Sequence, residues 1–285
     1  LEGVAMPNGI VMVSGSATAP VLSTVEDNGL FFRTAPSDAR SAEVLAEILI
    51  EQGYKSAAIT YVNNDYGKGL GSAIEANFVA EGGTVTINAG HEENKGDYSA
   101  DAAALAQAGG DILVVAGYAD GGGGAIIQGS LDLGSFETFF LPDGMYADSL
   151  TATFGSQING SFGASAGTDS PGDATFKTLF AKAGHEYNVY AGEYYDAAAL
   201  IMLAMQAANS SSSSDLKDHV MDVANAPGEK IYPGELAKGL KILAGGGEID
   251  YVGASAVELI GPGESGGAYL QYEVQNGKFA TVGYR

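Results

Sequence analysis

The sequence predicts an α/β fold in which helices flank a parallel sheet, and three observations lead there. Between Ser56 and Leu141 the strand-like segments recur roughly every 26–28 residues, the spacing of successive βα units. Ile112–Ala116 (ILVVA) is apolar without alternation, as a strand covered on both faces should be. The segments between strands carry apolar residues at helical spacing and stop at glycines.

Gly9–Val13 reads as an opening strand, bounded by Gly9 and by the small, hydroxyl-rich turn Ser14-Gly15-Ser16-Ala17-Thr18, with Pro20 at the exit. Leu30–Thr34 is a second extended piece, ended before Pro36. Ser37 or Asp38 caps a helix carrying Val44, Leu45, Ile48 and Leu49, which Gly53 stops. Then come strand Ser56–Val62, a helix through Leu70, Ile74 and Phe78, strand Thr84–Asn88 and a helix over Ser99–Ala108. Strand Ile112–Ala116, a helix with Ile126, Ile127 and Leu131, and strand Thr138–Leu141 complete the alternation. Ser161–Ala166 reads as one more strand. Helices follow over Thr175–Ala183, Tyr195–Ala208, Asp215–Ala224 and Pro233–Leu243. Between the second and third of these, Asn209–Ser214 is a serine-rich surface loop. The tail, Ala268–Val274 and Phe279–Val282 around Asn276-Gly277, reads as a hairpin.

Composition narrows the function. The 285 residues carry 13 basic and 35 acidic side chains, a net charge of −22, so nucleic acid and anionic membrane surfaces are poor partners. There is no cysteine, which removes disulfides, thiolate metal sites and cysteine nucleophiles. The apolar run Ala197–Ala208 is too short to span a bilayer, so a soluble protein is expected. His91, His185 and His219 are scattered without metal-ligand spacing, and no G-x-S-x-G elbow is present. Gly121–Gly124 follows a strand and opens a helix, but the third glycine of a dinucleotide loop falls on Ile126 or Ile127. Gly67-Lys68-Gly69-Leu70-Gly71 lacks P-loop spacing. No enzyme chemistry, metal or cofactor is indicated.

In open parallel sheets ligands bind beyond the carboxyl ends of the strands. Four exits collect a consistent set of residues. They are Ser14–Thr18, then Asn63–Gly67 with Tyr66, then Gly117–Asp120 with Tyr118, and Pro142–Met145 with Asp143. Hydroxyls and backbone N–H groups suit a carboxylate, Asp143 suits an ammonium, and the rings suit an apolar body. Each residue alone reads equally well as an ordinary turn residue or an exposed tyrosine.

The chain resembles the periplasmic substrate-binding proteins of ABC transporters of the branched-chain amino acid (Leu/Ile/Val-binding) type. The resemblance rests on Met12–Pro20, Phe32–Asp38, Asp65–Gly69, Gly117-Tyr118, Pro142–Gly144 and Tyr195–Ala197. It implies a two-lobed type I fold closing on an amino acid. Ser16, Ala17 and Thr18 would hold the α-carboxylate from lobe 1. Tyr66, Tyr118 and Asp143 would close from lobe 2, with Asp143 on the ammonium, and Tyr190 would touch the ligand's side chain. Lobe 1 would comprise 1–37 and 168–265, and lobe 2 38–167 and 266–285, with crossings near 37–38, 167–168 and 263–266. The implied partners are a small-molecule ligand, an amino acid or small carboxylate, and an ABC permease, in a periplasmic monomer without catalysis or cofactor. The alternatives are a ligand-sensing regulatory domain for amides or small carboxylates, or an α/β enzyme using the same cleft. Two departures stand out. The family has Glu where Asp143 stands. It also carries a further serine turn and βα units before the equivalent of Leu1, so the N-terminal βα units of lobe 1 are expected to be missing here.

Overall fold

The computed structural model describes residues 1–285, which form two compact units. Unit 1 is built from Leu1–Thr18, Leu22–Ser37 and Ala166–Ala268, and unit 2 from Ala19–Val21, Asp38–Ser165 and Tyr269–Arg285.

The chain opens with a one-turn helix α1 (Ala5–Asn8), followed by β1 (Met12–Ser14) and β2 (Phe31–Arg33). Unit 2 then supplies α2 (Asp38–Glu51), β3 (Ser56–Val62), α3 (Asp65–Ala80), β4 (Thr84–His91), α4 (Ser99–Ala108) and β5 (Ile112–Ala116). It continues with α5 (Gly124–Leu133), β6 (Phe139–Phe140), α6 (Asp148–Phe154) and β7 (Phe162–Ala166). Unit 1 resumes with α7 (Pro171–Lys182), α8 (Ala191–Ala208), α9 (Ser213–Ala224), β8 (Glu229–Ile231), α10 (Leu236–Ala244), β9 (Ile249–Tyr251), β10 (Leu259–Ile260) and β11 (Glu264–Ser265). The hairpin β12 (Tyr269–Gln275) and β13 (Lys278–Tyr284) ends the chain.

Unit 2 is a single seven-stranded sheet in the order β13-β12-β7-β6-β5-β3-β4. The five strands from β7 to β4 run parallel. The hairpin joins antiparallel, since Gly160 donates to Val274 and Gly167 to Ala268, partners falling as the strand rises. Both faces are covered, and side chains alternate between two cores. Ile112, Val114 and Ala116 enter one with Leu45, Ile48 and Leu49 of α2 and Leu70, Ile74 and Phe78 of α3. Leu113 and Val115 enter the other with Leu105 of α4, Ile126 and Ile127 of α5, and Phe154 of α6. The unalternating ILVVA run is thus explained, since both faces of β5 are dry.

Unit 1 holds three two-stranded sheets. β1 pairs with β2 and β8 with β9 in parallel, and β10 pairs with β11 antiparallel. Its core gathers Leu200, Leu203 and Ala204 of α8, Val220 and Val223 of α9, and Ile231, Ile249 and Tyr251 of β8 and β9.

The α/β class and the parallel sheet flanked by helices are as the sequence implies, and several boundaries move for physical reasons. Gly9 does not bound a strand. It sits at φ 62° and its N–H closes α1 on Ala5 and Met6, so β1 starts only at Met12. β6 shrinks to Phe139–Phe140, although Leu141 still donates to the Phe162 carbonyl before Pro142, which has no N–H, ends the pairing. α7 starts earlier than its apolar pattern, because Ser170 accepts from the Asp173 N–H and Pro171 occupies the first turn. α8 likewise begins at Ala191, ahead of Tyr195.

Candidate functional site

In unit 2 the parallel register brings three loops to the same edge of the sheet. Tyr61 of β3 pairs with Ala116 of β5, and Val114 of β5 with Phe140 of β6. The chain therefore leaves these three strands side by side. After β3, the Asn64 side chain accepts the Gly67 N–H and starts α3, placing Tyr66 in its first turn. After β5 comes Tyr118, and after β6 a short 3₁₀ turn begins at Asp143.

Tyr66, Tyr118 and Asp143 meet there. The Tyr66 hydroxyl donates to Asp143 Oδ1 at 2.9 Å and accepts the Gly144 N–H at 3.3 Å. The Tyr66 and Tyr118 rings stack with centroids 5.2 Å apart at 17°. Burial and then the Asp143 charge push the Tyr66 hydroxyl well above its ordinary value of 10.0, so it remains a neutral donor. Burial raises Tyr118 as well. The group presents one carboxylate, aligned by a phenol, beside two aromatic rings. Such a set can receive a cation and cover an apolar body.

Glycines allow this approach. A Cβ on Gly144 would lie 2.4 Å from the Gly117 carbonyl and 2.9 Å from the Tyr66 hydroxyl. The Gly121–Gly124 run, which fits no dinucleotide loop, closes a wide π turn over Ala119–Gly123, in which Gly122 has φ 119°, and opens α5 at Gly124. A Cβ on Gly123 would meet the Met145 Sδ at 2.6 Å and the Tyr118 carbonyl at 2.8 Å. The run therefore holds Tyr118 close against the Asp143–Met145 turn.

In unit 1 the turn after β1 is a hydroxyl-centred one. Ser14 Oγ accepts the Ala17 N–H at 3.0 Å and the Ser16 N–H at 3.4 Å. These two N–H groups are therefore engaged within the turn, where the sequence suggested backbone donors for a carboxylate. The Ser16 hydroxyl shares a hydrogen bond of 2.6 Å with the Tyr194 hydroxyl. The Ala17 carbonyl accepts from Arg33 Nη1 at 3.0 Å. None of these bonds uses the hydroxyl of Thr18, which is buried.

The first turn of α8 packs behind this loop. A Cβ on Gly15 would meet the Tyr194 backbone at 2.7 Å, and Thr34 Oγ1 bridges the Glu193 carbonyl at 2.7 Å and the Ser14 carbonyl at 3.3 Å. Tyr190 stands at the N-cap of α8 with φ 67° and ψ 1°, left-handed backbone that a bulky residue adopts only under constraint. Glu193 is buried with Oε2 unbonded. Burial raises its carboxyl to about 7, with Asp196 and Asp173 adding to the rise.

The structure thus brings Tyr66, Tyr118 and Asp143 together, and gathers Ser16, Ala17 and Thr18 in one turn of unit 1; Tyr190 is the N-cap of α8 in the same unit. Asp196 of the Tyr195–Ala197 motif has a structural task. Its carboxylate accepts from the Ala254 and Ser255 N–H groups, the Ser255 hydroxyl and the Tyr251 hydroxyl, all within 2.8 Å. Sequence reading missed Arg33, Glu193 and Tyr194. For Arg33 a signal existed, a lone charge directly after the apolar run Leu30–Phe32 and still within the strand. For Glu193 and Tyr194 there was none.

The comparisons with known proteins agree with this architecture. The family profile described as Periplasmic binding protein matches residues 1–228. The chain belongs to the periplasmic binding protein family. Within it, the chain is similar to the Leu/Ile/Val-binding protein homolog 1 of Brucella melitensis, 30% identical over 230 residues, 78% of this chain. The chain spans 58% of that relative's length. A leucine-binding protein of Thermotoga maritima superposes with a TM-score of 0.80 at 19% identity, over 99% of this chain and 74% of that one. A solute-binding protein of an R. palustris ABC transporter, in complex with benzoate, reaches 0.76 at 17% identity over 99% and 72%. Both share the fold. No helix is long and apolar enough to cross a membrane.

Proposed function

We propose that the protein is a periplasmic solute receptor that binds an aliphatic, branched-chain-like amino acid and hands it to an ABC permease, without catalysis. The observation that carries this reading is the Tyr66–Asp143 bond beside the stacked Tyr118 ring. It supplies a carboxylate for an α-ammonium, with aromatic surface for an apolar body.

In this reading Ser16 and Thr18 offer hydroxyls to the α-carboxylate. Ala17 shapes their turn, and Tyr190 touches the ligand's side chain. Unit 1 and unit 2 act as the two lobes, with crossings near 37–38, 167–168 and 263–266. Ligand that engages both lobes stabilises their closed arrangement, and the permease recognises that arrangement.

A plain aromatic carboxylate, such as the benzoate held by the R. palustris neighbour, is the second reading. Asp143 favours the first reading, because it offers a carboxylate that an ammonium can meet and a benzoate cannot use. A thermal-shift screen of free amino acids, benzoate and 4-hydroxybenzoate separates the two. Leucine, isoleucine or valine should raise the melting temperature, and benzoates should not. Stabilisation by benzoates alone would replace this reading with the second.

A further inference from the structure

Arg33 is the largest of the fully buried side chains, a charged group with no exposed surface at the end of β2. Its guanidinium reaches three other segments of unit 1. Nη1 donates to the Ala17 carbonyl at 3.0 Å, Nη2 to Ser23 Oγ at 2.6 Å, and Nε to Glu264 Oε2 at 2.9 Å. Nη2 also lies 2.6 Å from the same Glu264 oxygen, whose side chain is 16% exposed. Nearby, Pro36 bridges to Ser265, so the exit of β2 and strand β11 run together. One planar fork therefore ties the hydroxyl turn after β1 to Ser23, the last residue of a 3₁₀ turn, and to β11.

Neutralising the charge would need only Glu264. The remaining bonds need the fork, because a guanidinium can send several N–H groups in fixed directions and an ammonium cannot. The Ala17 carbonyl belongs to the peptide that leads into Thr18, one residue past Ser16.

We infer that Arg33 is a positioning residue: its guanidinium, anchored by Glu264 and Ser23, holds the Ala17 carbonyl so that the Ser16–Thr18 hydroxyls face a ligand carboxylate. This rests on the function proposed above for that turn. Arg33 does not touch the ligand. It acts through the turn, so its loss should weaken recognition of the carboxylate more than that of the rest of the ligand.

Two measurements on the protein test this. Hydrogen–deuterium exchange without ligand reads the clamp itself. Arg33→Lys keeps a charge opposite Glu264 but loses the fork, and should speed exchange across 14–24 about tenfold while α8 and α9 keep their protection. Unchanged exchange over 14–24 overturns the inference, as does loss of protection throughout unit 1. Ser23→Ala, a milder cut at the same guanidinium, should act on the same stretch alone, which keeps the test sharp if Arg33→Lys does not fold. Titration with leucine and leucinamide reads the consequence. Arg33→Lys should bind leucine about tenfold more weakly and leucinamide within about twofold of the parent. Equal losses for both overturn the carboxylate role. A parent protein that binds neither, with the exchange result intact, overturns the proposed function and still supports the clamp.

Discussion

The Tyr66 hydroxyl donates to Asp143 Oδ1 at 2.9 Å while accepting the Gly144 N–H at 3.3 Å. One phenol therefore joins the loop after β3 to the loop after β6, and fixes where the Asp143 charge lies. In the proposed binding mode that charge meets the ligand's ammonium. Tyr66→Phe keeps the ring against Tyr118 and removes only the donor. It should weaken leucine binding about tenfold, near 1.4 kcal/mol, about the lower edge of what one hydrogen bond to a charged group contributes. Calorimetric titration of the variant against the parent checks this, and an unchanged affinity would separate the Tyr66–Asp143 bond from recognition.

Gly144 marks how closely these loops approach. A Cβ there would stand 2.4 Å from the Gly117 carbonyl, a backbone atom that cannot swing away. Gly144→Ala should destabilise the protein by about 1–3 kcal/mol, the usual range for overpacking, and weaken ligand binding as the Tyr118 loop is pushed off. Urea unfolding together with titration of leucine reads both effects. A variant with parental stability and affinity would show that the loop absorbs the extra carbon.

Glu193 predicts a pH dependence. Its carboxyl is raised from 4.5 to about 7, first by burial and then by Asp196 and Asp173. Between these values the folded protein keeps a proton that the unfolded chain has released. The stability contributed by this group is full below about pH 4.5 and is lost as pH rises through about 7. The loss is on the order of 3 kcal/mol for such a shift at a buried site. Glu193→Gln cannot ionise, so it should match the parent near pH 4.5 and exceed it at about pH 8 by about 2–3 kcal/mol in denaturant unfolding. Parallel curves for the two proteins across that range would contradict the assignment.

Asp196 predicts a stability effect confined to unit 1. Its two oxygens take two backbone N–H groups and two hydroxyls around Tyr251, Ala254 and Ser255. Asp196→Ala leaves these donors buried without acceptors, at a cost of about 3–5 kcal/mol. The same substitution leaves the Tyr66–Asp143 group intact. Chemical unfolding should show the loss, and exchange should rise first around 251–256.

Much of unit 2 could be read in advance, because its inner strands β5 and β6 are buried along their whole length and its helices end at or near glycines. β5 is the clearest case, with Ile112, Val114 and Ala116 facing one core and Leu113 and Val115 the other. The meeting of Tyr66, Tyr118 and Asp143 followed from the same regularity, since parallel strands deliver their exits to one edge. Unit 1 was harder. β8 and β9 have three residues each, and Lys230 and Asp250 interrupt their apolar pattern. Arg33 looked like a strand residue because its role depends on Ala17, Ser23 and Glu264, the last far away in sequence. The turn after β1 was recognised as hydroxyl-rich, but the bonds that its Ser16 and Ala17 N–H groups donate to Ser14 depend on local dihedrals that composition does not encode. Tyr190 was named on resemblance, and the left-handed backbone that marks it out is visible only in the fold.

Whether Asp143 receives an amino acid's ammonium is decided by calorimetric titration of leucine into the parent protein and into Asp143→Ala. Saturable one-to-one binding is expected for the parent, with a loss of about a hundredfold or more in the variant, as when a buried charge loses its partner. Leucine binding of equal strength in both proteins, or none in the parent, would overturn the proposed recognition.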